Sequence, residues 1–355
     1  MRWKSRLTSL IDIEYPIIQA PMFGVTSPEM VAAAHKANCL GSLALADLNA
    51  SQCVEAIRAT KKLTNRNFAA NIFTHKIPPL TENLKQQYIK AKAFIEQLAS
   101  QYQLDVTVPD LADIKLNSYH EQIEAIIEED CKILSFTFGN IDQASIDSLK
   151  NKGILLIGTC TSVQEAVTLE QSGIDVICVQ GLEAGGHRGS FSSEDIPHIG
   201  GLSLLAQVKD STSSPIVYAG GIYDAKTLLA AKTLGADGFQ IGSLLLASTE
   251  SMLKDFEKER LRKVKESEIM LTKSFSGRYA RGIKNTFIEA TENSDNILPY
   301  PYQNKLTAGL RSVARSHKNA DFVNLWLGQS INGYNSASTT EIIKKLIADT
   351  ENYHH

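Results

Sequence analysis

Eight short apolar segments, separated by amphipathic helical stretches, restrict the fold of this 355-residue sequence more than any other feature. Apolar residues run through these segments almost without alternation, as in IIQAPM, SLALA and ILLIGT. A strand needs such continuous apolarity when both faces of its sheet are covered, so the pattern predicts a parallel sheet. The predicted strands are 16–22, 40–46, 68–74, 133–138, 154–159, 176–181, 215–220 and 238–243.

The stretches between these segments carry the start and stop signals of helices. Ser27 stands before Pro28 as a helix N-cap, and Ser162 stands three residues before Glu165 with capping-box spacing. Asp224 predicts the start of a third helix, which stops at Gly235. Strand and helix therefore repeat as a unit along the chain. This repetition predicts an α/β fold, a (β/α)8 TIM barrel.

Two stretches are longer than one barrel helix requires. Residues 75–132 predict helices at 82–102 and 119–129 with a short extended piece at 105–109. After the eighth strand we expect a charged helix at 250–268, a loop at 299–304 and an apolar helix at 340–348. The surplus predicts a smaller α-rich lid domain. We assign residues 1–248 and 305–355 to the barrel and 249–304 to an inserted lid or substrate-side segment.

Charge and composition exclude several classes of function. The net charge is −3 with neutral histidines, which argues against a nucleic-acid partner. No apolar run approaches the roughly 20 residues of a membrane helix, and no apolar region follows the basic N-terminus as in a signal peptide. The five cysteines are an odd number without CxxC spacing, so we expect buried, reduced thiols, no metal site and a cytoplasmic protein.

The active site of such a barrel lies at the carboxyl ends of its strands. Gly220 and Gly221 follow the seventh predicted strand, and Gly242 and Ser243 follow the eighth. Backbone N–H groups without a neighbouring Cβ bind phosphate well, and loops at these two positions of a barrel commonly do so. The two pairs together predict a phosphate site.

The segment after the sixth predicted strand, residues 181–191, contains four glycines around one histidine, His187. Glycines let the backbone approach a flat ligand, so we expect His187 above such a ligand. Glu183 is an alternative general base, although a loop carboxylate is more often solvated or a helix cap, and Arg188 is expected to have a structural or electrostatic role rather than a catalytic one. Amide side chains suit the edge of a flavin ring, since they donate and accept at once, but each could also serve the backbone or barrel interior. The candidates are Asn71, Gln180 and Gln240.

From these residues alone we infer a phosphorylated ring cofactor in a barrel. Seven segments go further, because they resemble the nitronate monooxygenases, also called 2-nitropropane dioxygenases, of class I. The resemblance implies an FMN-dependent enzyme that oxidises alkyl nitronates with O2 to a carbonyl compound and nitrite, with propionate 3-nitronate as the substrate. The segments are PIIQAPMFG (16–24), AANIF (69–73), GLEAGGHRGSF (181–191), YAGGI (218–222), GADGFQIGS (235–243), SGRYARG (276–282) and PYPYQN (299–304).

The resemblance also assigns roles to residues. It implies that His187 faces the substrate as the catalytic residue, either as a base or as an electrostatic stabiliser. Ser243 stands where the family usually has threonine and keeps a hydroxyl for the phosphate. The implied FMN-binding residues are Met22, Asn71, Gln180, Gly185, Gly220, Gly221, Gln240, Ile241, Gly242 and Ser243, and the implied substrate pocket is Tyr300, Tyr302 and Gln303.

Two other functions stay open at this point. One is an FMN- and NADH-dependent enoyl-acyl-carrier-protein reductase, which shares the EAGGH motif found at 183–187. The other is a barrel that binds a phosphate ligand without catalysis. For a nitronate monooxygenase, the expected partners are a small-molecule nitronate and O2, with no membrane or nucleic acid. The sequence leaves the oligomeric state undecided.

Overall fold

The computed structural model describes residues 3–331 and 334–353, and this part of the chain forms a ring of parallel strands covered by helices. The strands are β1 Ile17–Gln19, β2 Ser42–Ala46, β3 Ala69–Phe73, β4 Ile133–Thr137, β5 Leu155–Cys160, β6 Val176–Gln180, β7 Gly186–His187, β8 Ile216–Ala219, β9 Gly238–Ile241, β10 Ile269–Thr272 and β11 Ala280–Ile283.

Fourteen α-helices lie before, between and after these strands in the described residues. They are α1 Arg6–Ile11, α2 Pro28–Lys36, α3 Ala50–Lys61, α4 Glu82–Gln101, α5 Tyr119–Glu128, α6 Gln143–Asn151, α7 Val163–Gln171, α8 Gly201–Ser211, α9 Ala225–Thr233, α10 Asp255–Arg262, α11 Thr286–Thr291, α12 Tyr302–Leu306, α13 Ala308–Ser316 and α14 Thr339–Glu351.

Eight strands make the main sheet in the order β1-β9-β8-β6-β5-β4-β3-β2, and neighbouring strands are parallel. The edges β1 and β2 are joined by a parallel bridge between Ile18 and Leu40. There the N–H of Leu40 donates to the carbonyl of Ile17 at 3.0 Å, and the N–H of Gln19 donates to the carbonyl of Leu40 at 2.9 Å. The sheet is thus a nearly closed barrel, and the predicted TIM-barrel fold is confirmed.

Each of the eight predicted segments coincides with one barrel strand, and β5 runs one residue past its segment, to Cys160. The first strand is shorter than predicted, since it ends at Gln19 rather than at residue 22. Pro21 has no N–H for a ladder hydrogen bond, which explains the early end. The charged helix is also shorter, at α10, and residues 105–109 form no strand. The stretch 299–304 is not entirely loop, because α12 begins at Tyr302.

The predicted helix caps are largely confirmed. Ser27 caps α2 through the N–H of Met30 at 3.1 Å, and Asp224 caps α9. Ser162 caps α7, but the predicted capping box is wrong. The Glu165 carboxylate instead accepts from the N–H groups of Thr161 at 2.6 Å and Phe191 at 2.7 Å. It therefore ties α7 to the segment that carries His187.

Helix α1 closes the amino-terminal end of the barrel. Leu7 is fully buried and belongs to one apolar cluster with interior strand residues such as Val176 and Val217. A Cβ at Gly238, the first residue of β9, would lie 2.2 Å from Leu7 Cδ2, so only glycine permits this approach. Because α1 covers the amino-terminal end of the barrel, a ligand-binding site can open only at the carboxyl end.

A second apolar cluster lies apart from the main core. It joins Tyr88 and Ile95 of α4 to Phe287, Leu310 and other residues between 246 and 327. The assignment of 249–304 as a separate segment stays a prediction, and the packing adds α4 and α13 to that region. All five cysteines are buried and unpaired. Within residues 3–331 and 334–353, no helix has both the length and the apolarity for crossing a bilayer.

Replacing Leu7 with alanine will test the sealing role of α1. Leu7→Ala leaves a cavity against the barrel interior, and we expect it to lower the free energy of unfolding by about 2–5 kcal/mol. Chemical denaturation measures the change. Leu10→Ala is the matched control on the same helix, where Leu10 is 46% exposed, and should change the free energy by less than about 0.5 kcal/mol. Equal losses in the two variants would contradict the role given to Leu7.

Candidate active site

A cavity of about 200 Å³ lies at the carboxyl end of the barrel, where the sequence predicts the site. Its wall combines strand ends with residues from the segments that follow β9. Most of the predicted site residues line it together: Met22, Asn71, Gln180, Gly185, His187, Gly220, Gly221, Gln240, Gly242, Ser243 and Tyr300.

Three predicted site residues do not line this cavity. The side chain of Ile241 is fully buried in the main core. The hydroxyl of Tyr302 donates to the carbonyl of Pro78 at 3.0 Å, and Gln303 donates to the carbonyl of Ser274 at 2.7 Å. The polar atoms of Tyr302 and Gln303 thus hold the chain after β11 in place, which corrects the expectation that both form a substrate pocket with Tyr300.

The predicted glycine-rich loop is partly a strand. Within it β7 pairs antiparallel with β11, with His187 opposite Ala280. Two of the sequence motifs, GGHRGSF and SGRYARG, therefore lie side by side. The Gln180 side chain holds the same loop, because Nε2 donates to the carbonyl of His187 at 3.0 Å and Oε1 accepts from the N–H of Gly189 at 2.8 Å. The position of His187 is fixed from both sides.

One hydrogen bond connects His187 to Ser276. Its Nε2 lies 2.8 Å from Ser276 Oγ, which also lies 3.0 Å from the carbonyl of Arg278. We assign the Ser276 proton to that carbonyl, because the carbonyl can only accept; Ser276 Oγ then accepts from Nε2, which carries the hydrogen. Nδ1 then keeps a lone pair, and no residue in the described part of the chain hydrogen-bonds to it.

Burial lowers the pKa of His187 to about 3, and the charges of Arg278 and Arg311 add to the effect. Although its ring lines the cavity, protein encloses that cavity on most sides, so a charged imidazole would lose its hydration. His187 is therefore neutral at pH 7. A neutral ring with a free Nδ1 can accept a proton, whereas it offers no positive charge to a bound anion.

Aromatic rings surround His187. The ring centroids of Phe138, Trp326, Phe73 and Tyr300 lie 5.4, 5.6, 6.1 and 6.4 Å from that of the imidazole, each in an edge-to-face arrangement. The guanidinium of Arg278 stacks over Phe138 at 4.3 Å. These walls are apolar on the side of the histidine, so they keep water away from a reacting atom there.

The glycine pairs form another part of the cavity wall. Gly220 has φ +127° and Gly221 φ +68°, conformations that side-chain-bearing residues rarely adopt. Among the described residues, the N–H groups of Gly221, Gly242 and Ser243 have no hydrogen-bond partner. Ser243 Oγ accepts from the N–H of Gly328 at 2.8 Å and so keeps its own proton for another acceptor. Unpaired donors of this kind suit a phosphate.

Glu183 and Arg188 have structural roles. The Glu183 carboxylate accepts from the hydroxyl of Tyr218 and from the N–H of Gly201 at 2.9 Å, at the start of α8. The buried Arg188 donates to the carbonyls of Gly181 at 2.5 Å and Gln180 at 3.3 Å. Neither group is free for chemistry, and Glu183 is a helix cap rather than a base.

Sequence reasoning missed part of the wall. Phe73 and Thr137 end their strands, so the rule that locates barrel sites at strand ends could have identified both. Ser276 lies in a motif that the sequence analysis singled out. Arg311, Asn324 and Trp326 carry no local signal, because only the packing of the segment after β11 brings them to the cavity.

Acid will destabilise the fold through His187. Its pKa is 6.5 in an exposed state and about 3 in the fold, so between these values the unfolded chain binds the proton and the folded chain does not. Stability therefore falls as pH drops from 6.5 towards 3, with a slope of at most about 1.4 kcal/mol per pH unit for one group. Burial also lowers the pKa of His35 and of His75 to about 4, and both contribute with the same sign.

Denaturant unfolding at a series of pH values between 6.5 and 4 measures this slope. We expect His187→Gln to reduce it, because the variant removes one of the three buried histidines that contribute to it. His198 is exposed, so His198→Gln is the control and should keep the slope of the unmodified chain. An unchanged slope in His187→Gln would show that its imidazole is not the enclosed neutral group described above.

Comparison with known proteins agrees with the motifs. The family model described as nitronate monooxygenase matches residues 4–349. A protein of Staphylococcus aureus named probable nitronate monooxygenase is 37% identical over 330 residues, which cover 92% of each chain.

Solved structures give the same picture. A nitroalkane oxidase from Streptomyces ansochromogenes has a TM-score of 0.87 and 31% identity over 97% of both chains. The enoyl reductase domain of MlnA from Bacillus amyloliquefaciens is 14% identical, with a TM-score of 0.66 over 97% of this chain and 96% of that one, and shares the fold alone. The family model and the close relatives agree over nearly the whole length, and the chain therefore belongs to the nitronate monooxygenase family of oxidoreductases.

Proposed function

We propose that this enzyme binds flavin mononucleotide and oxidises alkyl nitronates with O2 to a carbonyl compound and nitrite, with propionate 3-nitronate as its substrate. The observation that carries the proposal is the pairing, within one cavity, of a neutral, oriented His187 with the unpaired backbone donors at Gly221 and Ser243. Family membership supports the reaction class.

The donor set fits the two ends of a flavin mononucleotide. The free N–H groups of the glycine pairs suit its phosphate, and the Ser243 hydroxyl can add a further donor. Gln240 lines the cavity and its amide has no hydrogen-bond partner among the described residues, so it remains available for the polar edge of the ring. Asn71 uses only Nδ2, which donates to Ser135 Oγ at 2.9 Å, and keeps Oδ1. Gln180 is engaged with the histidine loop instead.

When bound, the flavin supplies the redox chemistry, passing electrons from the substrate to O2. The chain's own residues position the substrate and, where it is a neutral nitroalkane, accept its α-proton. A nitronate has already lost its α-proton and needs no base, whereas a neutral nitroalkane must give that proton to a group such as His187 Nδ1. Ser276 keeps the imidazole in the required tautomer, and Phe138 and Trp326 exclude water beside it.

Replacing His187 tests whether this residue acts as a base or has only a structural role. If His187 takes the α-proton, His187→Asn lowers turnover of neutral nitroethane by about 10²–10⁴-fold and lowers turnover of ethyl nitronate far less. Oxygen consumption on both substrates, at equal flavin content, measures the two rates. Equal rates of the variant and the unmodified enzyme on nitroethane would remove His187 from the reaction.

Adding one methyl group at the glycine pair tests the phosphate end. Gly221 has φ +68°, and a Cβ there would lie 3.3 Å from Glu183 Cγ beside the free N–H groups. We expect Gly221→Ala to purify with less bound flavin mononucleotide, measured as the ratio of absorbance near the flavin band to protein. Gly153→Ala is the matched control, since Gly153 has φ +67° with no atom within 4 Å of its Cβ. Equal flavin content in both variants would contradict this phosphate site.

The decisive experiment begins with the absorption spectrum of the purified protein and then adds propionate 3-nitronate. A flavin spectrum, O2 consumption and nitrite release in proportion support the proposal. Adding NADH without O2 distinguishes the reductase, since rapid bleaching of the flavin would favour that alternative. A colourless protein, or a yellow one that is inert with nitronates, would reject the proposed function.

A further inference from the structure

A strained backbone position lies beside His187. Phe138, directly after β4, has φ +83°, the largest positive value of any non-glycine residue in the described part of the chain. A bulky side chain rarely adopts this conformation, because its Cβ crowds the neighbouring backbone. Strain of this kind persists only where the surrounding structure enforces it, and it concentrates at functional sites. The contacts of Phe138 show what enforces it here.

The backbone on both sides of Phe138 is held by the segment that follows β3. The carbonyl of Thr137 accepts from the N–H of Thr74 at 2.9 Å and from the Thr74 hydroxyl at 3.2 Å. Gly139 follows with φ +153°, and a Cβ there would lie 3.3 Å from the carbonyl oxygen of Thr74. The peptide groups before and after Phe138 therefore have little freedom to relax.

The ring of Phe138 is held by Arg278. The guanidinium carbon lies 4.3 Å from the ring centroid, in a cation–π arrangement. Nη2 of Arg278 donates to the carbonyl of Ser190 and lies 3.2 Å from the carbonyl of Ser192. Burial lowers the pKa of Arg278 to about 10, so the guanidinium is still protonated at pH 7. Arg278 thus joins Phe138 to the segment that follows His187.

Phe138 in turn packs against the imidazole. Its ring centroid lies 5.4 Å from that of His187, with an angle of 80° between the two planes, and 4.3 Å from that of Phe73. Phe138 is 2% exposed and is not among the described residues that line the cavity. It can therefore influence a reaction in the cavity only through the residues that it contacts.

We propose that Phe138 is a positioning residue for His187, and that Arg278 holds it in a strained conformation in which its ring fixes the imidazole for proton transfer from a neutral nitroalkane. The inference rests on the proposed function, because it concerns the α-proton assigned to His187 Nδ1. Ser276 holds the Nε2 end of the imidazole, and Phe138 packs against the ring itself. Displacing a catalytic group by about 1 Å can lower a rate by roughly 10²-fold, and the clamped ring of Phe138 prevents such a displacement.

Alanine and glycine variants test the strain without any substrate. Glycine adopts a positive φ freely and alanine does not, so Phe138→Gly should have a higher guanidinium chloride midpoint of unfolding than Phe138→Ala. Phe136 is the matched control, since it is a fully buried phenylalanine inside β4 without a positive φ. There the alanine variant should have the higher midpoint, as at ordinary strand positions. A Phe138→Ala variant that is more stable than Phe138→Gly would reject the strained conformation.

Phe138→Leu tests the positioning role and keeps the proposal testable if the smaller variants do not fold. Leucine fills most of the same volume, but it offers no aromatic face to Arg278 and no edge-to-face contact to His187. We expect kcat for nitroethane to fall by about 10- to 100-fold. Turnover of ethyl nitronate should change little, because a nitronate needs no base. Oxygen consumption at equal flavin content measures both rates, and Phe136→Leu should keep the ratio of the two rates found in the unmodified enzyme.

A double variant tests whether Arg278 acts through Phe138. Arg278→Lys keeps the positive charge near His187 but loses the planar guanidinium that reaches both the ring and the carbonyls, so it should lower the same ratio of rates. If the two residues act as one unit, Phe138→Leu combined with Arg278→Lys loses no more than the more damaged single variant. A loss equal to the product of the two single losses would show independent effects and would reject the clamp.

The outcomes separate this role from the function on which it rests. If the unmodified holoenzyme oxidises neither nitroethane nor ethyl nitronate, the proposed function fails and the positioning role fails with it. If it oxidises ethyl nitronate alone, no α-proton is transferred, so the positioning role is rejected while the reaction stands. If it oxidises both and Phe138→Leu lowers the two rates equally, or lowers neither, Phe138 does not act through the base and the proposal is rejected.

Discussion

The pairing of β7 with β11 is the interaction on which the rest of the site depends. It places His187 opposite Ala280 and brings Ser276, near the start of the same motif, within hydrogen-bond distance of the imidazole. The barrel itself holds the segment after β6 through Gln180 and Glu165. The partner strand and the Ser276 hydroxyl come from the region beyond β9, so these two contacts form only when that region has folded onto the barrel. The additional segment therefore completes the site as well as covering it.

Much of this arrangement could be predicted from local sequence. Strands covered on both faces have continuous apolar runs, so all eight were found, and Ser27 and Asp224 marked helix starts for the same local reason. The glycine pairs were found because a barrel site lies at strand ends whatever its chemistry. These features depend on neighbours in the chain, and they indicate both the fold and the glycine-lined part of the cavity.

The remainder depends on contacts between distant residues. Tyr302 and Gln303 are close to Tyr300 in sequence, yet only Tyr300 lines the cavity. Helix α12 begins at Tyr302, so Tyr302 contacts Pro78 and Gln303 contacts Ser274 instead. Gln180 has the amide that a flavin edge needs, but the backbone around His187 uses it first. Nothing local marks Arg311 or Trp326. Packing between distant residues decides the direction of a side chain and its hydrogen-bond partners, so a local sequence pattern predicts neither.

The charges in the cavity connect the two ends of the proposed chemistry. Burial disfavours a proton on His187, and the charges of Arg278 and Arg311 disfavour it further, so the imidazole is neutral. An anion bound against Arg311 offsets part of that repulsion, since opposite charges in an enclosed site interact strongly. Its arrival therefore raises the proton affinity of His187 in the occupied site.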